Sequence, residues 1–144
     1  MPYQSIDVAF MKAPAGSTIR LNANFDNSVS IDKALTIELN GNDIINNEKT
    51  PIDIKVNGDL TIKGQGTIEC NKNGNAAVFN NGNITINNGK LQRTTDVSGN
   101  GYYTAVNHGT MTTNGGIFLS GGEFSSMIEH GYRDYHAGNT TNGY

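Results

Sequence analysis

Leu60-Thr61-Ile62-Lys63-Gly64-Gln65-Gly66-Thr67-Ile68 is an apolar–polar alternation broken by a glycine-rich bend and then resumed. Alternation with period two is the mark of a half-buried strand. The same unit recurs along the chain. Leu35-Thr36-Ile37-Glu38-Leu39 runs into Asn40-Gly41, Ile84-Thr85-Ile86 into Asn87-Asn88-Gly89, and Met111-Thr112-Thr113 into Asn114-Gly115-Gly116. The starts at 35, 60, 84 and 111 lie 25, 24 and 27 residues apart. A second marker keeps the same phase: Asn57-Gly58, Asn81-Gly82, His108-Gly109 and His130-Gly131. Two markers repeating in step at a spacing of 20–50 residues indicate a repeat architecture.

Each repeat holds two or three short strands with sharp bends between them, as in Ile52-Asp53-Ile54-Lys55-Val56. At about 3.3 Å per residue, such a repeat traces one closed coil, and successive coils stack at about 4.8 Å. The expected fold is therefore all-β: a single-stranded parallel β-helix, or solenoid, of about five coils. Inward Val, Ile and Leu would stack from coil to coil. Thr36, Asp53, Lys55, Thr61, Lys63 and Thr85 would face outward. The bends call for φ > 0, which glycine tolerates freely and asparagine best among the rest. An antiparallel sandwich is the competing all-β reading, because Asn-Gly is also a hairpin signal. A sandwich does not need a constant repeat near 25.

This pattern accounts for an odd composition. Among 144 residues there are 18 Gly and 21 Asn, no Trp, 35% hydrophobic and 16% charged residues. Gly and Asn are poor in helix interiors, yet a narrow stacked core needs few apolar residues. Net charge is −3, which gives no general attraction to nucleic acid. No apolar run is long enough to span a membrane. The single Cys70 makes no intrachain disulfide and is expected as a buried thiol.

Two segments are expected. Residues 1–15 precede the repeat and read as an N-terminal cap or docking segment, with Ile6, Val8 and Phe10 alternating. Residues 16–144 form the β-helix, whose last coil is incomplete. That leaves either a fragment of a longer β-helix or an end covered by another subunit. Met1-Pro2-Tyr3-Gln4-Ser5-Ile6-Asp7 is not a Sec-type signal as written.

Leu60-Thr61-Ile62-x-Gly-x-Gly-x-Ile68, Asn81-Gly82-Asn83-Ile84-Thr85-Ile86-Asn87-Asn88-Gly89 and Gly121-Gly122-Glu123-Phe124 resemble the coils of pectin-lyase-like right-handed β-helices. The resemblance covers residues 16–131. It is specific for architecture and weak for function; the right-handed sense is implied by the resemblance and not by the sequence alone. That superfamily includes polysaccharide lyases and hydrolases, surface adhesins, and phage spike, fibre and other virion proteins. With no export signal read at the N-terminus, the resemblance implies a non-catalytic structural or adhesive virion component. Its implied partners are other virion subunits, in a homo-oligomer such as a trimer, or a surface polysaccharide. The alternatives are the N-terminal part of a polysaccharide lyase or hydrolase, and a bacterial surface adhesin, placed outside the cell.

No catalytic residue, metal site or cofactor is expected. Glu38, Asp59, Glu69, Asp96, Glu123 and Glu129 fall at different coil positions, whereas paired carboxylates for glycoside hydrolysis must face one another. His108 and His130 share a phase in the sequence, and two histidines without a third ligand read more simply as bend residues. The candidate glycan or partner contacts lie in two polar, aromatic segments. One contains Arg93, Asp96, Tyr102 and Tyr103. The other contains Glu129, His130, Tyr132, Arg133, Asp134 and Tyr135. Aromatic faces suit sugar rings, while acids and guanidinium groups suit hydroxyls. An ordinary solvated loop and a polar coil end are the plain readings of the same two segments.

Overall fold

A computed structural model describes residues 6–72, 75–93, 103–119 and 126–130. The strands build three parallel sheets. Sheet A contains β1 (Ser17–Arg20), β3 (Ala34–Glu38), β6 (Asp59–Lys63), β9 (Asn83–Ile86) and β12 (Thr110–Thr113), in that order. Sheet B contains β4 (Ile44–Ile45), β7 (Thr67–Glu69), β10 (Lys90–Gln92) and β13 (Ile117–Leu119). Sheet C contains β2 (Val29–Ile31), β5 (Ile52–Ile54), β8 (Val78–Asn80), β11 (Tyr103–Asn107) and β14 (Ser126–His130). The chain visits A, B and C in rotation, and every strand pairing is parallel. This is a β-solenoid, and the parallel pairing eliminates the antiparallel sandwich.

The expected coil number is corrected. About three turns are complete, with a strand on each sheet: β3–β5, β6–β8 and β9–β11, of which the last two have strand neighbours on both sides throughout and the first has β4 at the edge of sheet B. The first turn meets sheet B only through an isolated bridge between Phe25 and Ile44. The last, β12–β14, is paired on one side alone. Terminal turns of a solenoid are short of partners, so they depart from the repeat.

Alternation in the sequence becomes stacking in space. Leu35, Leu60, Ile84 and Met111 pair in register and are buried, as are Ile37, Ile62 and Ile86 beside them. Ile44, Ile68, Leu91 and Phe118 form the sheet B wall. Val29, Ile52, Val78 and Ala105 line sheet C. Each fully buried Ile or Leu contributes about 1.5–3 kcal/mol. Outside sheet A, Thr18, Thr36, Thr61, Thr85 and Thr112 align in one column. Beside them, Glu38 receives Arg20 at 3.1 Å and Lys63 at 3.7 Å. These ion pairs are exposed and weak.

The inner column of sheet C changes character along the stack. Ile31 and Ile54 are followed in register by Asn80 and Asn107, both fully buried. Asn80 Nδ2 donates to Asn107 Oδ1 at 2.7 Å, and Asn80 Oδ1 accepts from the Gly82 amide at 3.0 Å. The Gly109 amide donates to Asn107 Oδ1 in the same way. A buried amide is tolerable because these bonds satisfy it.

The turn from sheet C to sheet A explains the glycine of the second marker. A Cβ at Gly58, Gly82 or Gly109 would lie 2.3, 2.4 or 2.1 Å from a backbone carbonyl oxygen of the preceding turn. Close approach demands glycine there. Positive φ recurs at the other corner, between sheets A and B, at Gly41, Gly64, Gly66, Gly89 and Gly116, and occurs once more at Gly16 just before β1. Among described non-glycine residues only Asn40 has positive φ, at 57°.

The N-terminal segment forms a helix, α1 (Ile6–Lys12), where the sequence suggested alternation. Ile6, Ala9, Phe10 and Ala13 are buried at helical spacing, and Ile6, Phe10 and Ala13 join the same core as Leu21 and Val29. Lys33 Nζ donates to the Met11 carbonyl at 3.0 Å, satisfying a group at the helix C-terminus.

Candidate binding face

Ser30, Asp53 and Phe79 form one column on the outer face of sheet C, continued in register by Val106, which is buried, and by Glu129. Phe79 stands in the middle of it, half-buried on a strand whose neighbours in sequence, Val78 and Asn80, point into the core. The His108 ring meets Phe79 edge-on, with centroids 5.2 Å apart and planes at 83°. T-shaped contact of this kind is favourable and fixes ring orientation. Lys55 Nζ lies 2.8 Å from Asp53 Oδ2. Asp53, Lys55, Asn75, Phe79 and Asn81 line a shallow groove, closed on one flank by Lys49 and Thr50.

The groove wall is held from behind. Ser28 Oγ donates to the Thr50 carbonyl at 2.6 Å. Asn75 Oδ1 accepts from both the amide and the hydroxyl of Thr50, at 3.1 and 3.2 Å. Arg93 is completely buried beneath this segment. Its guanidinium donates to the carbonyls of Asn75 and Lys72, each at 2.7 Å. Arg93 therefore supports the groove from inside; it is not an exposed contact of the kind its loop suggested. Next to it, Cys70 is buried, and burial raises its thiol pKa. Its sulfur donates weakly to the Lys49 carbonyl at 3.4 Å.

The other expected contacts fall as follows. Tyr103 opens β11, paired with Ser126. Glu129 pairs with Val106 and so shares the register column of Asp53 and Phe79. His130 pairs with Asn107, not with His108, so the two histidines are one residue out of phase. A one-residue shift exchanges the two faces of a strand, which removes the shared histidine position. Asp96, Tyr102, Tyr132, Arg133, Asp134 and Tyr135 lie outside the described residues.

Phe79, His108, Asp53 and Lys55 were not singled out as contacts from sequence. Phe79 is the only strand residue of the Ala76-Ala77-Val78-Phe79-Asn80 run that is aromatic, and it occupies the outward phase set by Ile52-Asp53-Ile54. An aromatic residue at an outward phase is the signal that locates it.

Three strand carboxylates, Glu38, Asp53 and Glu69, are committed to neighbours. Glu38 takes Arg20 and Lys63, Asp53 takes Lys55, and Glu69 accepts from Asn71 and Gln92. Among the described residues, no group of three or more His, Cys, Asp or Glu side chains is placed to hold a metal ion. No described helix is long and apolar enough to cross a membrane. No family model, curated protein or solved structure matches the chain.

Proposed function

We propose that this chain is a non-catalytic, rigid β-solenoid that binds a surface saccharide along the outer face of sheet C. The observation that carries the reading is Phe79, an aromatic ring oriented by His108 and bordered by the Asp53–Lys55 pair. The C–H face of a pyranose stacks on such a ring, while carboxylate, ammonium and the Asn75 and Asn81 amides take hydroxyls. Successive turns rise by about 4.8 Å, so a groove crossing several turns follows an extended chain rather than a compact ligand. The setting we propose is a phage virion, as a spike, fibre or capsid-associated component that contacts other virion subunits, in a homo-oligomer such as a trimer. This setting rests on the resemblance of the repeat alone.

The test is calorimetric titration with defined capsular and pectic oligosaccharides, alongside assays for new reducing ends and unsaturated products. Binding without turnover is expected. Phe79→Ala should weaken binding by about tenfold, the loss of one aromatic contact of about 1.5 kcal/mol. Turnover would favour the lyase or hydrolase reading, and unchanged binding by Phe79→Ala would remove sheet C as the binding face. Light scattering reports the oligomer, and virion genes beside this one would support the setting.

A further inference from the structure

Five Asn-Gly peptide bonds lie among the described residues, at 40–41, 57–58, 81–82, 88–89 and 114–115. Such bonds share one intrinsic chemistry. The glycine backbone nitrogen attacks the asparagine Cγ, a C–N bond forms, the Cγ–Nδ2 bond breaks, and ammonia leaves. The amide proton passes to solvent base. Water then opens the succinimide at either carbonyl, giving aspartate or isoaspartate. The fold controls the reaction through the attacking nitrogen, because an amide already donating a hydrogen bond must first release it.

The five sites divide on this point. The Gly41 amide donates to the Gln65 carbonyl at 2.6 Å, and both polar atoms of the Asn40 side chain are engaged, by Arg20 and by the Leu21 carbonyl. The Gly58 amide donates to the Lys55 carbonyl at 2.8 Å. The Gly82 amide donates to Asn80 Oδ1 at 3.0 Å. Within the described residues, the amides of Gly89 and Gly115 donate to no acceptor. Both asparagines before them, Asn88 and Asn114, are exposed. Asn114 is restrained in part, since its Nδ2 donates to Asn87 Oδ1 at 2.8 Å. Both sites occupy the same corner, between sheets A and B, on successive turns.

We propose that Asn88-Gly89 and Asn114-Gly115 are the sites at which the folded solenoid undergoes spontaneous succinimide-mediated deamidation, while 40–41, 57–58 and 81–82 are protected. Asn88 borders a shallow groove with Glu38, Asn40, Lys63 and Gln65, so a carboxylate at 88 enters the Glu38–Lys63 ladder. An isoaspartate adds a backbone methylene where the spacing is fixed by stacking. Lys90 donates to the Gly66 carbonyl at 2.8 Å and Ile117 to the Gly89 carbonyl at 2.9 Å. The modification thus acts on the pairing of the last turns and leaves the first ones intact.

The experiment is timed incubation of the folded protein at mildly alkaline pH, followed by peptide mapping with mass spectrometry that separates aspartate from isoaspartate. A parallel sample is held in concentrated urea. In the folded sample, 88 and 114 should convert about 2- to 10-fold faster than 40, 57 and 81, the factor that one net hydrogen bond supplies. In urea the five rates should converge. Conversion at 40, 57 or 81 as fast as at 88 and 114, or none at 88 and 114 while the urea sample converts, overturns the proposal.

Discussion

Gly82 shows how little room a single residue has in this stack. A Cβ there would lie 2.4 Å from the carbonyl oxygens of both Gly58 and Lys55, and both are backbone atoms. Neither can move without shifting a turn. Gly82→Ala should therefore destabilise the protein by about 1–3 kcal/mol, the cost of overpacking a tight site, read as a lower urea midpoint. Gly41→Ala meets no atom within 4 Å, and its cost comes from φ of +80° instead. Asparagine repeats the lesson. Its abundance suggested left-handed bends, yet Asn40 alone among the described residues adopts one. Elsewhere the side chain links neighbouring turns: Asn46 to the Asp26 carbonyl, Asn24 to the Asp43 amide, Asn47 to the Asn71 amide. Composition revealed that asparagine mattered but not in which role, because both roles fall at the same bends.

At the scale of elements, the strands were legible and the helix was not. Strand phase is carried by period-two alternation, and Leu35, Leu60, Ile84 and Met111 fall in register as their repeat spacing requires. Residues 6–12 offer too short a window to separate alternation from helical spacing: Ile6 and Phe10 satisfy both, and Val8 against Ala9 decides it. Phe10 is 2% exposed in the shared core. Phe10→Ala should cost about 3–5 kcal/mol by urea unfolding. Unchanged stability would mean that α1 is a docking arm, not a cap. The candidate site was partly legible for a related reason. Polar and aromatic richness drew notice to Arg93, but buried arginine and exposed arginine look alike in a sequence. What separates them is the segment at 72 and 75 whose carbonyls it binds, 21 and 18 residues away.

For the whole molecule, the relevant property is cooperativity. Each turn touches only its neighbours, so stability is a sum of turn and interface contributions, and ends open before the middle. Cys70 reports on the middle, in the turn β6–β8 with complete neighbours on both sides. Its thiol pKa is raised by burial, which keeps the reactive thiolate scarce. Alkylation by iodoacetamide should be slow in the folded protein and become fast with the urea transition. Fast alkylation well before that transition would show that the central turns open independently. The sign of the pH effect follows. The unfolded thiol ionises first, so this contribution is complete below the unfolded pKa and is lost as pH rises through the folded one.

The inner column of sheet C has a consequence for direction. Ile31 and Ile54 give way to Asn80 and Asn107, so this column is oily toward α1 and hydrogen-bonded in the later turns, while Ile86, Leu91 and Met111 keep the other walls apolar. Turns from the two halves are not interchangeable. A turn bearing Asn80, moved beside Ile31, would bury an amide without its partner, while Ile54 set beside Asn107 would strand another. The stack thus carries an arrow along its axis, and shuffling the order of its repeats would erase it.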